Sequence, residues 1–503
     1  MNVVCISASR PGPIRAVLFS LGTVLIFLVT YVYWQPPNIA LPSEGNIDDK
    51  SLVERQIQFW KALHPLLELH SPACATPRRQ GSSGAIGFNA IDGSARPDVI
   101  SMPVEDMRKM QQAHTTFLED IRNSSALKSV HNPNTRGLVS TAGGSYLPVF
   151  VISLRMLRRT GSTLPVEVFL KGPDEYERSI CEGVLPSMDA RCIVLSDILG
   201  VVDSEVEIAH YQLKIFAILF SSFEDVIWLD ADCFPLYKPE LLFNSDPFKS
   251  RGMITWPDYW ASTASPLYYN ISSQSVPPMT LRASSETGEI MISKKNHQLT
   301  MLLSAYYNYY GPSHYFMLLS QGAPGEGDKE TFIQAASAVD EPFYTTSERV
   351  APIGHPKPEG GLSGSAMVQS DPIEDYLLTS HDMWRVRNES VAKAPRAFFI
   401  HAHYPKFNPA TVFGYSWETT PTVKPDGGDG RAWIVPEGTI KRFGYDVEDY
   451  YWKEIEWVSC HLEDKFRSWE GREGICLRVQ SYRDNVFNYP ESNDLLGIDF
   501  EEG

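Results

Sequence analysis

The sequence predicts an α/β domain, with a central and mostly parallel sheet flanked by helices, behind an N-terminal membrane anchor and a stem. Three observations predict it. From Arg136 onward the chain reads strand, glycine turn, helix, strand. Val226 to Leu229 is apolar at every position, as a strand buried on both faces must be. Ala16 to Trp34 is an uncharged run of 19 residues, close to the ~20 that a helix needs to cross a bilayer.

The anchor comes first. Arg10 and Arg15 precede the apolar run, and the next base is Lys50, with Glu44, Asp48 and Asp49 between. The positive-inside rule therefore predicts a cytosolic tail over 1–15, a signal anchor over 16–34 and a lumenal remainder. Tyr31, Tyr33 and Trp34 stand where an interfacial aromatic belt would. A cleaved signal peptide fits less well, because no A-x-A-like site follows and the run exceeds the usual apolar core of about 7–15 residues. Lumenal exposure predicts oxidised cysteines at Cys74, Cys181, Cys192, Cys233, Cys460 and Cys476. Spacing suggests Cys181–Cys192 and Cys460–Cys476, although six cysteines allow about 15 connectivities. Asn123, Asn270 and Asn388 open N-x-[ST] triplets, in keeping with the same compartment. The formal net charge of -17 excludes a nucleic-acid partner, since no basic excess is present to neutralise phosphates.

Residues 35–100 read as a stem, rich in Pro, Gly and Ser at both ends, with a short helix near Leu52 to Leu69. The main domain is expected over 101–430, and 431–503 as an extension packed on it. Met102 to Leu127 has helical character. Leu138 to Thr141 is β-prone, Gly143-Gly144 turns the chain, Tyr146 to Arg159 is helical and Pro165 to Leu170 is a second strand. Such a first turn is where a nucleotide could approach the backbone. Leu213, Phe216, Ala217 and Phe220 then mark an amphipathic helix over His210 to Ser221.

Asp230 and Asp232 follow the buried run in VIWLDADCFPL. Two carboxylates at the end of a central strand are costly unless a cation lies between them. Acids at i and i+2 on a strand share a face, and hard divalent ions bind one or two carboxylates while substrate phosphates complete the shell. The pair therefore reads as a metal–diphosphate site. In GEGDKETF, residues 325–332, Asp328 precedes a helix; acids there suit the helix dipole, and they also suit a loop that faces a sugar. SETGEIMIS, residues 285–293, leads into a strand bearing Glu286 and Glu289.

The chain here resembles the fungal Golgi α-mannosyltransferases that elongate and branch mannan on glycoproteins. The resemblance runs through GLVSTAGGSYL, LPVEVFLKGPDEYE, YQLKIFAILFSSFEDVIWLDADCFPL, SETGEIMISKKNH, GEGDKETF and FFIHAHYPKFNP, roughly residues 130 to 415. It implies a GT-A-like nucleotide-sugar-binding domain, GDP-mannose as donor, Mn²⁺ (or Mg²⁺) as cofactor, a mannosylated glycoprotein as acceptor and retention at the anomeric carbon. It also implies a Golgi membrane location and a place in a Golgi transferase complex. Carried over by position, it makes Asp230 and Asp232 metal and diphosphate ligands, places Gly143 and Gly144 near the nucleotide, and directs Lys214 and Lys406 toward the donor. His401 becomes the third metal ligand, with His403 as the alternative two residues on. Glu289 and Asp328 are the acids to test as nucleophile, unless the acceptor attacks from the leaving-group face. The linkage, α-1,2 or α-1,3, stays open. A phosphatase of the haloacid-dehalogenase type is disfavoured by Cys233-Phe234-Pro235 after the last Asp. The intact Asp pair argues against a non-catalytic regulatory subunit of a mannosyl- or mannosylphosphate-transferase complex. No residue excludes a UDP-sugar as donor independently of the resemblance.

Overall fold

A computed structural model describes residues 47–204, 206–357, 360–414, 421–424 and 426–488. The predicted anchor at 16–34 lies outside these residues. Among the described residues no helix is long and apolar enough to cross a membrane.

The strands in chain order are β1 (Arg78–Arg79), β2 (Ile100–Ser101), β3 (Arg136–Thr141), β4 (Val166–Leu170), β5 (Ala190–Val194), β6 (Asp225–Leu229), β7 (Cys233–Pro235), β8 (Met253–Ala261), β9 (Ala283–Ser293), β10 (Tyr344–Thr345), β11 (Ala351–Pro356), β12 (Leu362–Ser370) and β13 (Ala397–His401). Seven of them form the principal sheet in the order β10-β8-β9-β6-β3-β4-β5, and β11-β12-β13-β7 form a second. In the principal sheet β3 runs parallel to β4 and β6, and β4 to β5, whereas β9 is antiparallel to both β6 and β8. β10 runs parallel to β8, so six of the seven strands share one direction and β9 alone is reversed; the sheet is mostly parallel, as expected.

β6 sits in the middle and explains the uninterrupted apolar run. Val226 and Trp228 point into one core and Ile227 and Leu229 into the other. The helix Leu147–Arg159, crossing from β3 to β4, seals the face of Ile227 and Leu229 with Phe150, Leu154 and Leu157. The helix Leu213–Phe220 seals the other with Ile215, Phe216 and Leu219. Both helices are nearly apolar throughout because each is covered in turn by a further layer. Helices Val447–Leu462 and Ile475–Val486 cover the first, where Arg155 and Arg159 both donate to Glu454, at 2.6 and 2.7 Å.

Two expectations change. The spacing-suggested disulfides Cys181–Cys192 and Cys460–Cys476 are present, but Cys74 and Cys233 are free rather than oxidised. They pack in different cores, Cys233 at the start of β7 and Cys74 beside His314, so no bridge between them can form. The second change concerns the segment read as stem. Trp60, Leu63 and Leu67 of the helix Ile47–Leu69 are buried against Phe216, Phe220 and their neighbours. Farther on, Arg96 donates to the carbonyls of Ser262, Ala264 and Pro277, and Phe88 N–H to Tyr259 O. Breaker residues made this backbone irregular without making it loose, because its polar groups are satisfied by the body.

A fragment starting at residue 101 should therefore fold poorly. It lacks Trp60, Leu63 and Leu67, whose burial contributes about 1.5–3 kcal/mol each. Expressed beside a fragment starting at residue 47, it should melt at least ~10 °C lower or aggregate; equal melting temperatures would show that the segment is dispensable.

Candidate active site

The chain leaves the principal sheet at Leu229 and enters the second sheet at Cys233, so Asp230, Ala231 and Asp232 form the turn between the two. The acids are thus not on a strand face, as the i, i+2 reading expects, but on the crossing itself. Asp230 N–H donates to Gly288 O of β9 at 2.8 Å, and Ala402 N–H donates to Asp232 O at 2.9 Å. Cys233 pairs with His401 across β7 and β13. That register carries the imidazole to the turn, with Nε2 3.2 Å from Asp232 Oδ1. Asp230, Asp232 and His401 each offer a ligand atom, all within 4.8 Å of one another. His403 is outside this group; its Nδ1 faces the His401 carbonyl at 3.3 Å.

Burial of the acids is offset by bases from distant elements. Lys214 Nζ lies 3.1 Å from Asp230 and 3.2 Å from Asp328. Burial alone would depress its pKa, but the two carboxylates outweigh that and hold the ammonium above its usual range. Asp232 meets His401 at one oxygen and Lys406 at the other. Burial would raise its pKa; the two cations hold it well below the usual carboxylate range. Trp228, two residues before Asp230 and on the same side of the chain, donates its indole N–H to Asp230 Oδ1 at 2.9 Å. Asp230 is the open member, 31% exposed against 3% for Asp232.

A second carboxylate pair stands behind the imidazole. His401 Nδ1 is 3.3 Å from Glu286 Oε1, which also accepts the Gly288 N–H at 2.7 Å. Gly288 has to be glycine, since a Cβ there would lie 2.4 Å from His401 Nδ1. Burial would raise the Glu286 pKa, but His401 holds it at about 2. For Glu289, burial and then the Glu286 charge outweigh His401 and push the pKa well above the usual carboxyl range; its Oε2 accepts from Cys233 Sγ at 3.4 Å. Held between Asp232 and Glu286, His401 is itself raised well above its ordinary value, the two carboxylates outweighing burial. The three ligand atoms and the carboxylate behind the histidine match what a divalent ion requires, an oxygen-rich shell with an oriented imidazole.

The other predicted residues fall around this centre. The Gly143-Gly144 turn ends β3; Gly144 has φ +53° and open space at its Cβ position, while a Cβ on Gly143 would strike the Glu175 carboxyl. Tyr146, next in that turn, lies under Lys406 Nζ, 5.7 Å from the ring centroid. Asp328 is buried, and burial outweighs Lys214 to raise its pKa.

Comparison with known proteins points to mannosyltransferases. A family model described as "Mannosyltransferase putative" matches residues 135–283 and 278–371. The α-1,2-mannosyltransferase MNN21 of Candida albicans is 34% identical over 417 residues, covering 71% of this chain and 62% of the relative. The α-1,2-mannosyltransferase MNN2 of Saccharomyces cerevisiae is 29% identical over 498 residues, covering 84% of this chain and 82% of the relative. The chain is similar to this mannosyltransferase family. It spans about three fifths of the length of the first Candida relatives, 62% and 60%. Among solved structures, the galactosyltransferase LgtC with donor and acceptor analogues aligns at TM-score 0.28 and 11% identity, covering 42% of this chain and 73% of that one. GlyE of Streptococcus pneumoniae aligns at TM-score 0.32 and 10% identity, covering 65% and 63%.

Two residues of this site, Trp228 and Gly288, are not singled out by the sequence alone. Trp228 had a usable signal, its i, i+2 spacing from Asp230 across the strand end. Gly288 had only its place between two acids.

Proton linkage at His401 yields a test. A folded pKa raised above the unfolded ~6.5 gives stability that is complete below pH ~6.5 and is lost as pH rises through the folded value. Chelator-treated protein should therefore lose stability above neutrality in urea melts, and His401→Gln should flatten that slope. A divalent ion held there would displace the same proton, so calorimetry with Mn²⁺ at about pH 7 in buffers of differing ionisation heat should show proton release. Release unchanged in His401→Gln would place the proton elsewhere.

Proposed function

We propose that the chain transfers mannose from GDP-mannose to an α-mannoside acceptor on glycoproteins, with retention, forming an α-1,2 linkage. The observation that carries this reading is the meeting of Asp230, Asp232 and His401 at the sheet crossing of a chain similar to the mannosyltransferase family. The relatives' α-1,2 designation favours that linkage over α-1,3. We read the domain as GT-A-like, with its catalytic unit starting near residue 52, inside the compact unit Leu52–Gly503. We place it in the Golgi as a single-pass protein anchored through residues 16–34. Asn123, Asn270 and Asn388 are all exposed, as lumenal glycosylation requires.

Asp230, Asp232 and His401 would hold Mn²⁺ or Mg²⁺, and the cation supplies Lewis-acid neutralisation of the departing diphosphate. Imidazole nitrogen in the set favours Mn²⁺. Lys406, 36% exposed, is placed to exchange Asp232 for a diphosphate oxygen, and the open turn at Gly144 leaves room for the nucleotide. Glu286 orients His401. Glu289 is fully buried and so unsuited to attack carbon, and Asp328 is engaged by Lys214. This favours attack from the leaving-group face. The acceptor oxygen bonds to C1 as the C1–O bond to the diphosphate breaks, and the acceptor proton passes to a diphosphate oxygen.

A lumenal fragment starting at residue 47 should convert GDP-mannose and an α-mannoside into a disaccharide whose new linkage NMR reads as α-1,2. Asp230→Asn and Asp232→Asn should each lower turnover at least about 100-fold while leaving the melting temperature within a few degrees. Glu286→Gln should raise the Mn²⁺ requirement about 10–100-fold. Turnover of a UDP-sugar instead would overturn the donor, and no turnover with any sugar nucleotide would favour a regulatory subunit.

A further inference from the structure

The loop Gly325–Glu330 joins the acid cluster to something else. Asp328 reaches Lys214, but its neighbour Lys329 donates to Asp258 Oδ2 at 2.8 Å. Asp258 lies on β8, two residues beyond Trp256, which pairs with Glu286 of the acid cluster. Asp258 and Tyr259 form part of the wall of a cavity of about 660 Å³. The cavity therefore begins on the strand next to β9, which carries Glu286. Its remaining walls come from the loop after Gln274, from Gln334 and Ser337 of the helix Thr331–Val339, from β10 and from the segment at Phe88.

Its surface has a definite chemistry. Phe88, Tyr259 and Trp384 line it and are only partly buried, so their rings are available to a ligand. Arg349 and Arg387 are exposed residues of the same lining, and the Arg387 guanidinium lies 5.3 Å from the Trp384 ring centroid. A pyranose has an apolar C–H face and a rim of hydroxyls, which suits flat rings interleaved with forked donors. An acyl chain suits it poorly, because the wall carries Asp258, ion-paired behind it with Lys329, and an apolar occupant would desolvate that carboxylate without compensation. The volume is that of a ligand site rather than a packing defect.

We infer that this cavity binds the inner sugars of the acceptor oligosaccharide, those preceding the residue whose hydroxyl is mannosylated. The inference rests on the mannosyl-transfer reading and adds a substrate-length preference to it. Longer acceptors gain contacts in the cavity that a single mannoside does not reach.

Two variants test it without touching the acid cluster. Trp384→Ala removes a partly exposed ring, and Ser275→Trp fills the cavity from an exposed position. With mannotetraose as acceptor, each should raise KM roughly tenfold. With methyl α-mannoside, KM should stay within about twofold, and the slow hydrolysis of GDP-mannose by water should not change. Equal effects on both acceptors, or none on either, would overturn the inference. So would a defect confined to intact glycoprotein, which would mark a polypeptide-binding surface. If the wild-type fragment turns over no GDP-mannose, the transfer reading fails by itself. Saturation-transfer NMR on mannotetraose then decides the cavity: a signal with wild type that is lost in Ser275→Trp supports it, and a signal equal in both overturns it.

Discussion

Asp232 is almost entirely buried and bound through its backbone to the chain just after β13, and its carboxylate is gripped by His401 and Lys406 from far along the sequence. A carboxylate so placed would be intolerable unpaired, at several kcal/mol. The second sheet supplies the pairing, because β7 begins at the residue after Asp232 and its partner strand ends at His401. The docking of the two sheets and the assembly of the acid cluster are therefore one event. Asp230 depends on it less; its partners Lys214 and Trp228 come from the principal sheet and the helix beside it.

Much of the fold was readable in the residues. The apolar run of β6 and the glycine turn after β3 occupy their expected stretches; the helix before the Asp pair is also present, over Leu213–Phe220, but buried on all sides rather than amphipathic. The one reversed strand of the principal sheet was not readable. β9 inserts antiparallel between β6 and β8, and nothing in SETGEIMIS distinguishes a parallel from an antiparallel neighbour. The segment before residue 100 misled for a related reason. Composition reports how regular a backbone is, and the contacts of Arg96 and Trp60 with residues far along the chain leave no trace in it.

The centre was legible as a set of residue types rather than as a geometry. Asp230, Asp232, His401, Lys214, Lys406, Glu286 and Asp328 all come together, but the reason is long-range pairing that spacing cannot express. The acids looked uncompensated because their bases lie elsewhere in the chain. The division of labour between Glu286 and Glu289 was equally hidden. Both stand on β9, yet Glu286 touches an imidazole and Glu289 touches a thiol, so the pKa of one is held down and that of the other is pushed up.

The separation of Asp232 from His401, 169 residues along the chain, has a consequence during synthesis. A ribosome adding about 5–20 residues per second takes roughly 10–30 seconds to pass from one to the other. Throughout that interval the nascent principal sheet can pair Asp230 with Lys214, but Asp232 has neither of its cations and β7 has no neighbour. The growing chain must therefore keep the end of β6 hydrated and open. The seam between the sheets can close only once His401 and Lys406 have emerged.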